Sequence, residues 1–424
     1  MTYRETLAYI YGLARFGMRP GLERISTVLR ALGNPEEQMR VVHVAGTNGK
    51  GSTAAFLSSI VAAGGYRVGL FTSPHLIHFT ERIRINGADI AEDAVVRLAQ
   101  RVIQAAPLET TFFEIVTAMA FLHFAEEGVH LAIMEAGMGG RLDATNSASG
   151  ILSILTPISL DHCRYLGETV TDIAREKAGV IKPGRPVVVA TQEEDVLQVI
   201  ARHCAETDSP CYRADVDFVS SWKREGLDYR GVHTRIAGMH PGIPGRYQAV
   251  NAAVALCAAE LLTSQGFALD APKLRRGIES ARWPGRMERF GDAPGVILDG
   301  AHNASGAEAL AAALADVPHA RLFLVMGVMG DKDAEGILAP LLPLADSVFA
   351  VCPAVERALP SDELASLCRE RGAEAIDAGG VAAGLTLARR AAGPADLVLV
   401  CGSLFTVGEA RASLLGQHFE PYRG

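Results

Sequence analysis

The sequence predicts an α/β protein in two parts: a P-loop-type doubly wound N-terminal domain and a smaller Rossmann-like α/β C-terminal domain. Three observations carry that expectation. An apolar β-type run (Val41, Val42, Val44) turns at Gly46, Thr47, Asn48 and Gly49, passes Lys50, Gly51 and Ser52, and continues as a helical pattern. Short apolar strands then alternate with helical stretches, the mark of a parallel sheet with crossover helices. The alternation breaks at ARWPGR, residues 281–286, and starts afresh beyond it. At 424 residues the chain is long for one core, and the break divides it into residues 1–283 and 284–424.

The first stretch has the chemistry of a phosphate cradle. Glycines let the backbone bend until several N–H groups point into one concavity. The helix that follows adds its positive dipole end, and Lys50 adds a full charge. The strict P-loop pattern is not met, because Gly51 separates Lys50 from Ser52 and Val44 stands where the first glycine is expected. Strand, glycines, lysine, hydroxyl residues and helix still come in the required order. The plainer alternative is a glycine-rich turn with a surface lysine.

Composition excludes several classes. A net charge of −8 argues against a nucleic-acid partner, whose footprint is a basic surface. The 49% hydrophobic and 21% charged fractions suit a globular enzyme. Seven cysteines without a CxxC pair fit buried thiols in a reducing compartment, Cys257 and Cys401 being packing residues in apolar runs. The first residues carry charges throughout and lack a signal core, and no uncharged apolar run reaches about 18 residues. The expectation is a cytoplasmic protein with no membrane partner. With no heptad pattern, it is expected to be a monomer.

Taken in order, residues 6–16 and 21–32 carry helical spacing with a break at 17–20. Too little chain precedes the cradle for a separate substrate domain. After the cradle helix, YRVGLFTS reads as a strand and SPHLIHFTERIRING as a polar loop ending in the Asn86-Gly87 turn. That loop lies just past a strand end, where α/β sheets bind ligands. A helix is expected over 110–124 and a buried strand over 131–134 that ends in Glu135. A carboxylate at a strand's C-terminal end, opposite a phosphate cradle, is the expected place for a magnesium ligand. A strand over 150–158 leads to Asp161 and His162, a short helix over 173–180 carries Lys177, and PGRPVVVA gives another strand. Residues 210–240 alternate as a hairpin-rich insertion, and 245–262 form an Ala-rich helix on which Gln248 and Asn251 share a face. Beyond the break, four or five strands (in GVILDGAHN, RLFLVMGVMGDKDAEG, DSVFAV and DLVLVCGSLFTVGEA) have no cradle of their own. That domain is expected to close on the nucleotide of the first.

The motifs HVAGTNGKGS, FTSPHLIHFTERIRING, TTFFEIVTAMAF, MEAGMGGRLDATN, SLDH with EKAG, RWPGRME, ILDGAHN, GDKD and VCGSLFTVGEA occur in this order over nearly the whole chain. Together they resemble the folylpolyglutamate synthase and dihydrofolate synthase family of the Mur ligase superfamily, most closely its bifunctional bacterial type. The resemblance implies an ATP-dependent amide ligase. A substrate carboxylate takes the γ-phosphoryl group of ATP, and the amine of L-glutamate attacks the acyl phosphate. The implied acceptors are 7,8-dihydropteroate and the glutamate tail of reduced folates. Such chemistry demands charge neutralisation and in-line positioning more than covalent help.

By position, the resemblance implies that Thr47, Asn48, Gly49, Lys50, Gly51 and Ser52 hold the phosphates. It implies that Ser73, Glu135, His162 and Lys177 hold Mg²⁺, two ions in the family pattern, with Lys177 carried as a carbamate. Lys50, His162 and Lys177 are then the catalytic set. Asn251 reaches the nucleotide from the Ala-rich helix, and Arg286, Asp299 and His302 reach it from the hinge or beyond. The C-terminal domain is also expected to bind glutamate. The implied pterin site comprises Gly17, Met18, Arg19 and Pro20, then Thr111, Phe112, Phe113 and Glu114, then Leu142, Asp143 and Ala144. Phe113 would stack on the ring and Asp143 would accept from its N–H edge. Two rival readings remain. A Mur-type ligase for a peptidoglycan precursor would need a nucleotide-sugar domain before the cradle. A nucleotide-gated ATPase without ligase activity would not need the Glu135, His162 and Lys177 set.

Overall fold

The computed structural model describes residues 1–17 and 19–421. Its larger sheet has eight strands: β1 (Arg40–Ala45), β2 (Val68–Phe71), β3 (Ile83–Ile85), β4 (Ala88–Asp89), β5 (Leu131–Glu135), β6 (Leu152–Leu155), β7 (Val187–Val189) and β8 (Cys211–Arg213). Their order is β4-β3-β2-β5-β1-β6-β7-β8. The six strands from β2 to β8 in that order run parallel, and β3 and β4 add an antiparallel hairpin at one edge. Residues alternate between two helical layers. Leu131 and Ile133 face the layer holding the Lys50–Ala63 and Gln248–Thr263 helices, while Ala132 and Met134 face the layer of Phe112–Glu126 and Glu92–Ala105. The chain passes from β5 to β6 on opposite sides of β1. The crevice at the carboxyl end of β1 is therefore the topological switch point.

Strands β9 (Val219–Lys223), β10 (Gly226–Arg230) and β11 (Arg235–Met239) form an antiparallel sheet, whose Leu227, Tyr229 and Ile236 pack into the same core as the Gln248–Thr263 helix. The smaller α/β part has six strands: β12 (Glu288–Phe290), β13 (Gly295–Leu298), β14 (Leu322–Met326), β15 (Ser347–Cys352), β16 (Ala375–Gly380) and β17 (Leu397–Cys401). Their order is β12-β13-β17-β14-β15-β16, parallel except for β12.

Four expectations need correction. The cradle helix begins at Lys50 rather than Thr53, because Gly49 takes a left-handed conformation (φ 84) that turns the chain straight into the helix. The IRI of the expected polar loop is β3, held on the sheet edge by antiparallel pairing with β2. Cys211–Arg213 belongs to the large sheet as its last parallel strand, so the antiparallel insertion is shorter than 210–240. The second sheet has six strands rather than four or five, the extra ones being short or mostly exposed edge strands with little apolar pattern. Among the described residues, no helix is long and apolar enough to cross a membrane.

Candidate active site

A cleft of ≈ 460 Å³ opens over the carboxyl end of β1, walled by both sheets' loops. Its floor is the glycine turn. Gly46 (φ 149) and Gly49 (φ 84) adopt backbone that L side chains rarely take, and a Cβ would run into Thr156 at the first and Asn251 at the second. The N–H groups of Gly49, Lys50, Gly51 and Ser52 meet no acceptor among the described residues. They are the open donors of a helix start. The N–H groups of Thr47 and Asn48 instead donate to the Pro157 carbonyl at 2.9 and 3.2 Å. The open donors therefore begin at Gly49, two residues later than Thr47. Lys50 Nζ donates to the Thr47 carbonyl at 3.2 Å. Gln248 donates to Ser52 Oγ at 3.4 Å, and Asn251, which donates to Gln248 at 2.8 Å, accepts from Thr53 at 3.4 Å. The face shared by Gln248 and Asn251 thus pins the cradle helix.

Glu135, at the end of β5, is buried and accepts the Ser73 N–H at 3.4 Å. Burial pushes its pKa up to about 7, against the pull of the Lys50 ammonium. Lys177, on the Val170–Ala178 helix, is also buried, and its amine donates to the Gly46 carbonyl at 2.7 Å. Burial first, and Lys50 second, push that amine down to about 7. His162 has a left-handed backbone (φ 53), and its ring stands 3.7 Å from Asp161. Although its outer edge meets solvent, desolvation in the cleft wall and the Lys332, Lys50 and Lys177 amines hold its pKa low, so the ring is a neutral donor. Ser73, Glu135, His162 and Lys177 all line the cleft with Lys50.

This donor set fits a hard divalent ion in one specific way. Among the described residues no three His, Cys, Asp or Glu side chains surround a common point. Glu135, His162 and the Ser73 hydroxyl would leave open positions, which suits Mg²⁺, an ion that keeps waters and takes phosphate oxygens as ligands. A buried carboxylate at about 7 is the group that a cation there would stabilise.

The other wall comes from the second sheet. Asn48 donates to Asn303 at 3.3 Å and to Ser305 at 2.6 Å, and accepts from Asn303 at 2.9 Å. Asn303 caps the Ala304–Leu314 helix, so a second helix start faces the cradle. Lys332 pairs with Asp161 at 2.5 Å. His302 Nδ1 lies 2.8 Å from the Gly300 carbonyl, which can only accept, so Nε2 is left as an acceptor; burial pushes the ring down to about 4. Asp299 accepts from the Tyr247 hydroxyl at 2.8 Å and from the Met287 and Ala301 N–H groups at 3.0 and 2.9 Å. Arg286 lines the cleft against Gly300.

The segments expected to bind a pterin come together beside this cleft, not in it. Met18 lies outside the described residues. Arg24 donates to the Arg19 carbonyl and pairs with Glu114 at 3.1 Å, tying the 17–20 loop to the start of the Phe112–Glu126 helix. Glu114 and Thr111 form that helix's capping box, and Phe112 stacks on Tyr11 with ring centroids 5.6 Å apart. The Phe113 ring lies against Gly137, whose turn walls the cleft. Asp143 does not offer a free edge. Its oxygens accept from the Gly137 and Met138 N–H groups at 2.9 and 3.0 Å, and from the Thr145 N–H and hydroxyl at 3.0 and 2.6 Å. All four acceptor positions of the carboxylate are spent on its own loop. Leu142 is half-buried beside it, and Ala144 is buried in the same core as Phe112.

Residues 44–259 match the model described as Mur ligase middle domain, and residues 285–404 match Mur ligase, glutamate ligase domain. The folylpolyglutamate synthase of Lacticaseibacillus casei is 36% identical over 98% of this chain and 99% of its own. The dihydrofolate synthase/folylpolyglutamate synthase of Bacillus subtilis is 35% identical over 97% and 99%. The chain belongs to the folylpolyglutamate synthase/dihydrofolate synthase family of Mur ligases. Among solved members of this family, E. coli FolC in complex with DHPP and ADP superposes with a TM-score of 0.91 at 33% identity, covering 98% of each chain. The Yersinia pestis bifunctional enzyme, complexed with AMPPNP and Mn ion, gives 0.89 at 33%, again over 98% of each.

Sequence reasoning missed several residues of this family member that line the cleft or hold its lining residues. Lys332, Asn303 and Ser305 had no assigned role, although Lys332 lies in the noted GDKD motif. Their partners Asp161 and Asn48 are more than a hundred residues away, so no local spacing signals them. Trp283, whose ring fills the space beside Gly51, was visible only as part of the break at 281–286.

Proposed function

We propose that this chain joins L-glutamate to 7,8-dihydropteroate, to the glutamate tail of a reduced folate, or to both, using ATP and an acyl phosphate. The observation that carries the reading is one cleft in which open helix-start donors and Lys50 face a buried Glu135 and Lys177. Residues 1–283 would bind ATP and the folate acceptor. Residues 284–424 would close on the nucleotide and bind glutamate. The protein would work as a monomer in the cytoplasm.

In this scheme the Gly49–Ser52 amides and Lys50 hold the β- and γ-phosphates, with Asn251 fixing the turn behind them. Thr47 and Asn48 shape the turn: their N–H groups donate to Pro157, the Thr47 hydroxyl bonds to Ser159, and the Asn48 side chain bonds to Asn303 and Ser305. Arg286, Asp299 and His302 complete the nucleotide site from the other wall, which requires the domains to be closed. Two Mg²⁺ ions held by Ser73, Glu135, His162 and Lys177 would supply the charge neutralisation that lets a carboxylate approach a triphosphate. Lys177 serves best as a carbamate: its ammonium first gives up one proton, the neutral amine then adds to CO₂ and releases a second, and a cation beside Lys50 becomes an anionic oxygen donor. The acceptor carboxylate then attacks the γ-phosphorus, ADP leaves, and the amine of glutamate displaces phosphate from the acyl phosphate. Gly17, Arg19 and Pro20, with Thr111 to Glu114 and Leu142, form the pterin wall. Asp143 holds that wall's shape instead of reading the ring.

Coupled ADP release tests the reading. It is expected only when acceptor and L-glutamate are both present; equal ADP release without either would point to the nucleotide-gated ATPase.

A further inference from the structure

Arg286 stands between two residues with left-handed backbone, Gly285 (φ 75) and Met287 (φ 45). Such a conformation persists at a non-glycine residue only where its surroundings over-determine it. Here they do. The Gly285 carbonyl accepts from the Gly300 N–H at 2.8 Å, and the Gly285 N–H donates to Glu288 at 2.8 Å. Glu288 is itself held by Arg411 at 2.9 and 3.0 Å. On the other side, the Met287 N–H donates to Asp299 Oδ2 at 3.0 Å, and the Met287 side chain is buried in the second sheet's core.

These pins belong to the linker or to the second α/β part. A further one comes from the first part. The hydroxyl of Tyr247, the residue that precedes the Gln248–Thr263 helix, donates to the same Asp299 Oδ2 at 2.8 Å. Asp299 is only 2% exposed, and the Tyr247 ring packs on the second sheet's core. The helix that starts beside Tyr247 carries Gln248 and Asn251, which pin the cradle helix. A continuous chain of contacts therefore runs from the cradle through Tyr247 and Asp299 to the backbone that aims Arg286.

We infer that Tyr247 is a positioning residue: its hydrogen bond to Asp299 registers the Arg286 backbone against the phosphate cradle. The inference deepens the proposed function and rests on its reading that Arg286 meets the phosphates.

A four-protein comparison tests it: the unmodified chain, Tyr247→Phe, Arg286→Lys and the double variant. kcat and KM for ATP are measured with saturating L-glutamate and acceptor, and urea unfolding serves as the control for fold. Tyr247→Phe is expected to lower kcat/KM for ATP about tenfold, the loss of one hydrogen bond to a charged group. The same substitution in the Arg286→Lys background is expected to cost little more, because residues acting as a unit are non-additive. An equal factor in both backgrounds would make Tyr247 a plain interface residue and overturn the inference. Unchanged ATP kinetics in Arg286→Lys would remove the Arg286 reading and the inference together. No loss in Tyr247→Phe while Arg286→Lys is impaired would defeat the inference alone.

Discussion

Lys50 and Lys177 bring two amines into one cleft, and the conflict is resolved unequally. Lys50 stays at the mouth of the cradle, while burial and the Lys50 charge bring Lys177 down to about 7. Removing the first should remove the charge that meets the phosphates. Lys50→Ala is expected to lower kcat by about 10²–10³ or more with an unchanged unfolding midpoint; turnover near that of the unmodified enzyme would dismiss the cradle assignment. For Lys177, a crystal structure at neutral pH with bicarbonate should show density for a carboxyl group on Nζ. A bare ammonium there would contradict the carbamate. Lys50 was legible in the sequence because phosphate binding demands particular residue types in one short order, whereas Lys177 gained a role only through the family resemblance. Lys332 was not legible. Its pairing with Asp161 spans 171 positions and leaves no trace in local spacing. Asp143 differs for the opposite reason: an acid in a glycine loop reads equally well as a ligand or as the cap of its own turn, and here four hydrogen bonds to its own loop occupy its carboxylate.

At the scale of elements, the strand–turn–helix unit depends on two glycines and the helix beside it. Gly49→Ala places a Cβ against Asn251 at a left-handed position. It is expected to cost roughly 1–3 kcal/mol of stability and to weaken ADP binding more than tenfold. Calorimetry showing normal ADP affinity would mean the turn tolerates a side chain. At the other layer, Thr111 accepts the Glu114 N–H at 3.3 Å while Glu114 accepts the Thr111 N–H at 2.8 Å. Thr111→Ala should therefore cost about 1 kcal/mol in urea unfolding, a loss expected to leave the ATP KM untouched. The long, fully buried strands and the helices with clear periodicity were readable from pattern alone. The strands at or next to the sheet edges were not: β3, β8, β12 and β16 are held by pairing with their neighbours rather than by an apolar pattern of their own.

Across the whole molecule, two histidines far from solvent link the fold to pH. Burial holds both His43 and His75 down to about 3, against an ordinary value of 6.5. Between those values the unfolded chain binds protons that the folded chain refuses, so stability falls as pH drops from about 6.5 toward 3. Each histidine contributes a slope of about 1.4 kcal/mol per pH unit inside that window. Urea unfolding at pH 7, 6 and 5 should show the decline, and His43→Gln should flatten it; an unaltered slope in the variant would assign the acid sensitivity elsewhere. The two sheets meet through Asn48 with Asn303, Asp161 with Lys332, and Tyr247 with Asp299, so the cleft exists only while both are in place. The ligase chemistry that this cleft implies is tested most directly by product mass. The protein is incubated with ATP, Mg²⁺ and L-glutamate, with 7,8-dihydropteroate in one tube and a reduced folate in the other. A gain of glutamyl units in either tube is the predicted result, and gain in both marks a bifunctional enzyme. ATP consumed in both tubes with neither acceptor lengthened would contradict the assignment.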